Sequence, residues 1–163
     1  PTIDRDRLYH LSAVGSLVCL DIKSGTRIWG LNILEQFESQ NITWALAESV
    51  LVDGKRVICS PGGPRTAIVA LDKHSGRTIW EAPSAGDLAG YASPSLGEYQ
   101  AVRMIFTLTA QAVIAVNADT GALLWRFEHI TPTEENILKP IYHDGHVFVS
   151  SQKTGSVFLR QDS

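Results

Sequence analysis

The chain has only two cysteines in 163 residues, Cys19 and Cys59, set too far apart for a metal knuckle and too few for a disulfide scaffold. They read as small buried apolar residues, and the redox compartment stays open. No apolar run approaches the roughly 20 residues that a bilayer-spanning helix needs, which argues against a membrane-spanning chain. Positive charge is scarce too. With 14 basic against 17 acidic residues, a net charge of -3 and no basic cluster, the chain lacks the footprint of phosphate neutralisation, which argues against DNA or RNA as partners. Linkers and low-complexity tracts are absent. The first seven residues are polar and charged and carry no signal peptide, so an export signal would have to lie upstream. At 44% hydrophobic and 19% charged, with 13 glycines, the composition is that of about one globular domain.

What is present is a repeat. Asp21-Ile22-Lys23-Ser24-Gly25 leading to Trp29 returns as Asp72-Lys73-His74-Ser75-Gly76 leading to Trp80, and again as Asn117-Ala118-Asp119-Thr120-Gly121 leading to Trp125. The tryptophans stand 51 and 45 residues apart, the length of a four-stranded antiparallel unit with its turns and one longer loop. Each position has a mechanical reason. An apolar strand runs into Asp or Asn, whose side chain accepts hydrogen bonds from the amides of the turn that follows. The glycine supplies the positive-φ position of that turn. The returning strand ends in a large ring suited to the gap between neighbouring twisted sheets, with its indole N–H aimed at a carbonyl.

The remaining strands precede each motif. Residues 49–52 and 56–60 form a hairpin across Asp53-Gly54, and residues 138–142 and 146–150 another across Asp144-Gly145. A third pairs residues 91–96 with 103–108 across a turn at 97–100. The reading is all-β: a β-propeller of four-stranded antiparallel blades with tryptophan-docking motifs, in an incomplete ring of about three and a half blades. Its bounds are a partial blade 1 at 1–30, blade 2 at 31–82, blade 3 at 83–127 and a partial blade 4 at 128–163. Blade 1 shows three strands and lacks its innermost, and blade 4 lacks its outermost, for 14 strands in all. The bare faces and edges at both ends invite self-association.

The Asp-x-x-Ser/Thr-Gly-x-x-x-Trp signature resembles the repeat of the pyrroloquinoline quinone enzyme propellers. More closely, the chain resembles the noncatalytic bacterial branch of quinoprotein-like repeat proteins. The phrases Leu8-Tyr9-His10-Leu11-Ser12-Ala13, Cys59-Ser60-Pro61-Gly62-Gly63, Gly90-Tyr91-Ala92-Ser93-Pro94 and Val147-Phe148-Val149-Ser150-Ser151 carry the same likeness. Val50 departs from it, standing where that group usually has proline. The resemblance implies an exported bacterial propeller of eight blades, periplasmic or extracellular, related in repeat to a lipoprotein that helps assemble outer-membrane proteins. A protein or peptide partner is then expected. The alternative is a fragment of a quinone-dependent alcohol dehydrogenase, which alone would require pyrroloquinoline quinone and calcium. The vicinal cysteine pair and the oxygen-ligand cluster of those enzymes are not visible in the sequence.

No catalytic or metal residues stand out. His143 and His146 flank a hairpin turn with no third ligand nearby, and read as solvated turn residues. Residues 60–64 are glycine-rich but lack the Gly-Lys-Ser/Thr of a phosphate loop. Asn41-Ile42-Thr43 fits a glycosylation pattern that recurs by chance. Trp44 is the one tryptophan outside the repeat. Blade topology sends the interblade links and the loops between second and third strands to one face, so Trp44, Gly62, Arg65, Tyr91 and Ser93 are expected to approach one another at the mouth of a funnel. Such residues suit ligand or peptide recognition. The plainer reading has Trp44 and Tyr91 packing the loops against the first strands.

Overall fold

Strands that are apolar on both faces need a sheet on either side. The middle strands have that character, and the fold follows from it. The computed structural model describes residues 1–161. Its strands form four antiparallel sheets, each a meander in chain order. Sheet 1 holds β1 (Thr2–Asp4), β2 (Arg7–Leu11), β3 (Ser16–Asp21) and β4 (Arg27–Asn32). Sheet 2 holds β5 (Leu51–Asp53), β6 (Arg56–Cys59), β7 (Thr66–Asp72) and β8 (Thr78–Pro83). Sheet 3 holds β9 (Ser95–Tyr99), β10 (Val102–Leu108), β11 (Ala112–Asn117) and β12 (Leu123–Glu128). Sheet 4 has three strands among the described residues, β13 (Ile141–His143), β14 (His146–Ser151) and β15 (Gly155–Arg160). The chain is an all-β, incomplete propeller. The one α-helical turn among the described residues, α1 (Ile33–Gln36), is capped by Asn32, whose Oδ1 accepts from the Leu34 and Glu35 amides.

Alternate residues of one strand serve different cores. Val69 and Leu71 of β7 pack with Tyr9, Leu17 and Cys19 of sheet 1. Their neighbours Ile68 and Ala70 pack with Ile105, Ile114 and Val116 of sheet 3. Phe106, Val113 and Ala115 then meet Val147 and Val149 of sheet 4. Three interblade cores in series hold the arc together.

The strand assignments need three corrections. Sheet 1 is complete: β1 pairs with β2 in the register Thr2↔Tyr9, Ile3↔Leu8, Asp4↔Arg7, so the described residues hold 15 strands and not 14. A three-residue strand is too short to show alternation, and Asp4-Arg5-Asp6 resembled a charged leader. In sheet 3 the innermost strand is Ser95–Tyr99, and the turn falls at Gln100 and Ala101, both at positive φ (49° and 63°). Gly97 lies inside the strand because the Tyr142 ring covers it, and a Cβ there would come within 2.4 Å of that ring. The innermost strand of sheet 4 is Ile141–His143, shorter and later than residues 138–142. The sheets run over residues 2–32, 51–83, 95–128 and 141–160; Asp162 and Ser163, at the end of the fourth expected blade, lie outside the described residues.

The repeated motif builds three turns alike bond for bond. Asp21 Oδ1 accepts from the Lys23 and Ser24 amides and the Ser24 hydroxyl at 3.1, 2.8 and 2.9 Å. Asp72 Oδ1 accepts from His74, Ser75 and the Ser75 hydroxyl at 3.1, 2.9 and 2.8 Å. Asn117 Oδ1 does the same for Asp119, Thr120 and the Thr120 hydroxyl at 2.9, 3.0 and 3.1 Å. In each turn the glycine amide then donates to the backbone carbonyl of the Asp or Asn, at 2.8 to 2.9 Å.

Neighbouring sheets meet through these turns. A Cβ on Gly76 would come within 2.8 Å of the Trp29 ring, and one on Gly121 within 2.5 Å of the Trp80 ring. The Trp29 indole N–H donates to the Lys73 carbonyl at 3.0 Å, and that of Trp125 to Gln161 Oε1 at 2.7 Å. Trp80 Nε1 is buried with no hydrogen-bond partner among the described residues. Gly25 repeats the turn of sheet 1, but a Cβ there would meet nothing within 4 Å. The face of sheet 1 turned away from sheet 2 leaves Ile3 61% exposed, and the outer face of sheet 4 leaves Phe158 67% exposed beside Ile141 and Phe148.

Gly25, Gly76 and Gly121 all have positive φ, of 70°, 73° and 77°. Alanine at Gly25 should therefore cost only the left-handed penalty of about 1–2 kcal/mol. At Gly76 and Gly121 it must also displace an indole, adding about 1–3 kcal/mol. Denaturant melts of the three variants test this, and equal losses at all three would show that the rings do not bear on the glycines. Trp80→Ala should cost about 3–5 kcal/mol, as expected for a buried large aromatic.

Candidate functional site

The links between sheets leave from the outer strand of one and return to the inner strand of the next, and all reach the same end of the arc. Their side chains build a groove of about 920 Å³ lined by Trp44, Tyr91, Ser93, Glu135, Ile137 and Leu138 among others. Trp44 comes from the link between sheets 1 and 2, Tyr91 and Ser93 from the next, and Glu135, Ile137 and Leu138 from the third.

Ile42 and Leu46 are buried in the first core, and the chain between them turns outward. The Ala45 amide closes that turn on the Ile42 carbonyl at 2.9 Å, with Ala45 at φ 67°, a conformation costly for a residue with a Cβ. This holds the Trp44 ring in solvent, 73% exposed. Ile137 and Leu138 of the third link line the same groove, 62% and 53% exposed.

Hydrogen bonds connect the two walls. The Trp44 amide donates to the buried Tyr91 hydroxyl oxygen at 2.8 Å, and the Tyr91 amide donates to the Asn136 carbonyl at 2.9 Å. Asn136 is fully buried, and its Nδ2 donates to the carbonyls of Thr109 at 2.8 Å and His129 at 3.0 Å. His129 is buried beside Ser151, with Nε2 3.0 Å from its hydroxyl, and burial lowers its pKa. Ser93 Oγ accepts from the Ser49 amide at 2.8 Å and fixes the start of sheet 2. The three links that form the groove are thus hydrogen-bonded to one another.

Three of the expected mouth residues, Trp44, Tyr91 and Ser93, come together here. Packing explains Tyr91 but not the exposed Trp44. Arg65 does not join them: its guanidinium pairs with Glu38 at 3.0 Å, in solvent, at the edge of the first link. Gly62 serves packing, since a Cβ there would come within 2.1 Å of the Ala89 amide nitrogen. His146 stacks on Phe158 at 4.7 Å. Among the described residues no three His, Cys, Asp or Glu side chains converge as metal ligands. Asn136 was missed because its bonds span 7 to 27 residues and leave no local pattern. The outward turn at Trp44 was legible only as a tryptophan outside the repeat.

Among the described residues lining the groove, the one charged side chain is Glu135, an anion, which does not match the cationic partners that the three carboxylates of pyrroloquinoline quinone call for.

Beneath the groove, Glu48 is buried, and its Oε1 accepts from the Ser60 amide at 2.8 Å. Burial pushes its pKa up to about 7, against the opposing effect of that bond. The neighbouring Cys59 thiol is raised by the same burial and by Glu48 itself.

Radial four-stranded sheets, with indoles between them and a groove built from their links, define a quinoprotein-like propeller. Residues 1–163 match the family described as outer membrane protein assembly factor BamB, and the chain belongs to it. Among solved structures it is similar to BamB from Moraxella catarrhalis, at 19% identity with a TM-score of 0.73, over 98% of this chain and 47% of that one. It is also similar to the computationally designed Ika8 protein (10%, TM-score 0.63, 98% and 44%) and to quinohemoprotein alcohol dehydrogenase from Comamonas testosteroni (18%, TM-score 0.57, 82% and 22%). At these identities the likeness is one of fold. The chain spans about half the length of the BamB structure it matches. No curated protein sequence matches it significantly.

The Glu48 carboxyl binds its proton more tightly in the folded chain than at its ordinary value of 4.5. Its contribution is therefore complete below about pH 4.5 and is lost as pH rises through about 7, a decline of about 3 kcal/mol. Glu48→Gln should keep the bond to Ser60 and flatten this part of the stability profile in melts from pH 4 to 8. An unchanged slope would place the pH dependence elsewhere.

Proposed function

We propose that the chain is a noncatalytic binding propeller that holds a protein or peptide partner at its interblade mouth. The observation that supports this is the groove in which a strained turn and the Tyr91 hydroxyl keep an indole in solvent, together with two exposed aliphatic side chains that line it. An exposed aromatic in a concave, hydrogen-bonded setting favours recognition over internal packing. Membership of the BamB family points the same way, toward assembly work in the bacterial envelope, periplasmic or extracellular. No helix among the described residues is long and apolar enough to cross a membrane. A photo-crosslinker at Trp44 should give a discrete adduct in envelope extracts, and one at Lys23, on the turn face, should not. Equal labelling from both positions would contradict the reading. Dye-linked alcohol oxidation on adding pyrroloquinoline quinone and calcium would overturn it in favour of a dehydrogenase fragment.

The end faces carry a second consequence. Ile3 with Leu8, Val18 and Leu20 on sheet 1, and Ile141, Phe148 and Phe158 on sheet 4, offer the kind of surface that every internal sheet buries. Wet apolar area of this kind costs about 25 cal/mol per Å². The isolated 163-residue chain is therefore expected to self-associate in light scattering, and Phe158→Lys to reduce the association. A monodisperse monomer would show that these faces are tolerated in water.

A further inference from the structure

Resting on that reading, we propose that the groove takes an extended polypeptide segment, apolar in its central side chain and neutral or basic in its flanks. Side-chain chemistry sets each part of the assignment. Trp44 from the first link and Ile137 with Leu138 from the third give the groove an apolar lining open to solvent, suited to one aliphatic or aromatic side chain. Around the slot the lining changes to hydroxyls and an amide, from Ser93, Ser150 and Gln152. These groups donate and accept, as the backbone N–H and C=O groups of an extended segment require. Charge sets the flanks. Glu135 is the one charged side chain among the described lining residues, and it is ion-paired at 3.7 Å with Lys153, which stands outside the lining and more than half exposed. A segment with its own acids meets this carboxylate unfavourably, and a basic one meets it favourably.

The occupant is a segment and not a compact ligand because the groove lies across the mouth. Its walls come from the first, second and third links, joined through Tyr91 and Asn136, so a bound chain touches three interblade connections in turn. Such prior wiring lowers the ordering cost of binding on the protein side.

The test uses the 163-residue chain and three short synthetic peptides, alternating leucine with lysine, leucine with glutamate, and serine with lysine. Binding is followed by calorimetry and tryptophan emission. The leucine–lysine peptide should bind about tenfold tighter than either of the others and shift the emission to the blue. Trp44→Ala should lose about tenfold of that affinity, Glu135→Gln should bring the lysine and glutamate peptides together, and Arg65→Ala, outside the groove, should change nothing. Circular dichroism of each variant checks that the sheets persist. Equal binding of the three peptides, or full affinity in Trp44→Ala, overturns the assignment. If that happens while the cross-link from position 44 persists, the protein-binding reading stands and the partner is a folded surface. If both fail, the reading falls with it.

Discussion

The contact on which the rest of the structure depends is the indole of one sheet lying on the turn glycine of the next. Trp29 on Gly76 and Trp80 on Gly121 set the spacing and angle at which two twisted sheets face one another. Only a glycine admits the ring, and only the Asp or Asn turn presents that glycine. Once sheets stand in this relation, every strand in the middle of the arc has a neighbour on each side. Apolar residues on both faces are then required. Ion pairs between Asp4 and Lys73, and among Asp53, Arg56, Arg103 and Asp119, brace the same junctions near the turns, with the Asp53 carboxyl buried and that of Asp119 exposed.

Because the turns and cores secure the sheets, the links at the opposite end are free to carry other residues. The first link uses that freedom to expose Trp44, and the third to present Ile137 and Leu138. Tyr91 and Asn136 keep those links from drifting. Asn136 in particular replaces a regular ladder with side-chain bonds to backbone carbonyls in a stretch without secondary structure, as a buried loop must. Hydrogen bonds thus tie the three links of the groove together, although they are irregular chain.

The parts legible in the sequence were those with local causes. A carboxylate or amide oxygen bonding amides two and three residues on, with a positive-φ glycine next, is written within five residues, and its recurrence with tryptophan revealed the blades. What escaped depended on distant partners. β1 is too short to alternate and is recognised only by pairing with β2. Gly97 looked like a turn residue, yet its missing side chain makes room for Tyr142 in the next sheet. The true turn, at Gln100 and Ala101, adopts positive φ without a glycine to announce it. Arg65 was expected at the mouth on topology alone, but a long exposed side chain goes to the nearest acid, here Glu38. The grouping of Trp44, Tyr91 and Ser93 followed from topology, whereas the Asn136 connection between the walls needed coordinates.

The arrangement of sheets by indole on glycine can be read directly from the Hα resonances of Gly25, Gly76 and Gly121. All three sit in the same turn with nearly the same φ, and they differ in whether a ring covers them. Ring currents should shift the Gly76 and Gly121 signals strongly upfield and leave Gly25 near its ordinary position. Similar shifts at all three glycines would contradict the account, as would an upfield shift at Gly25 alone.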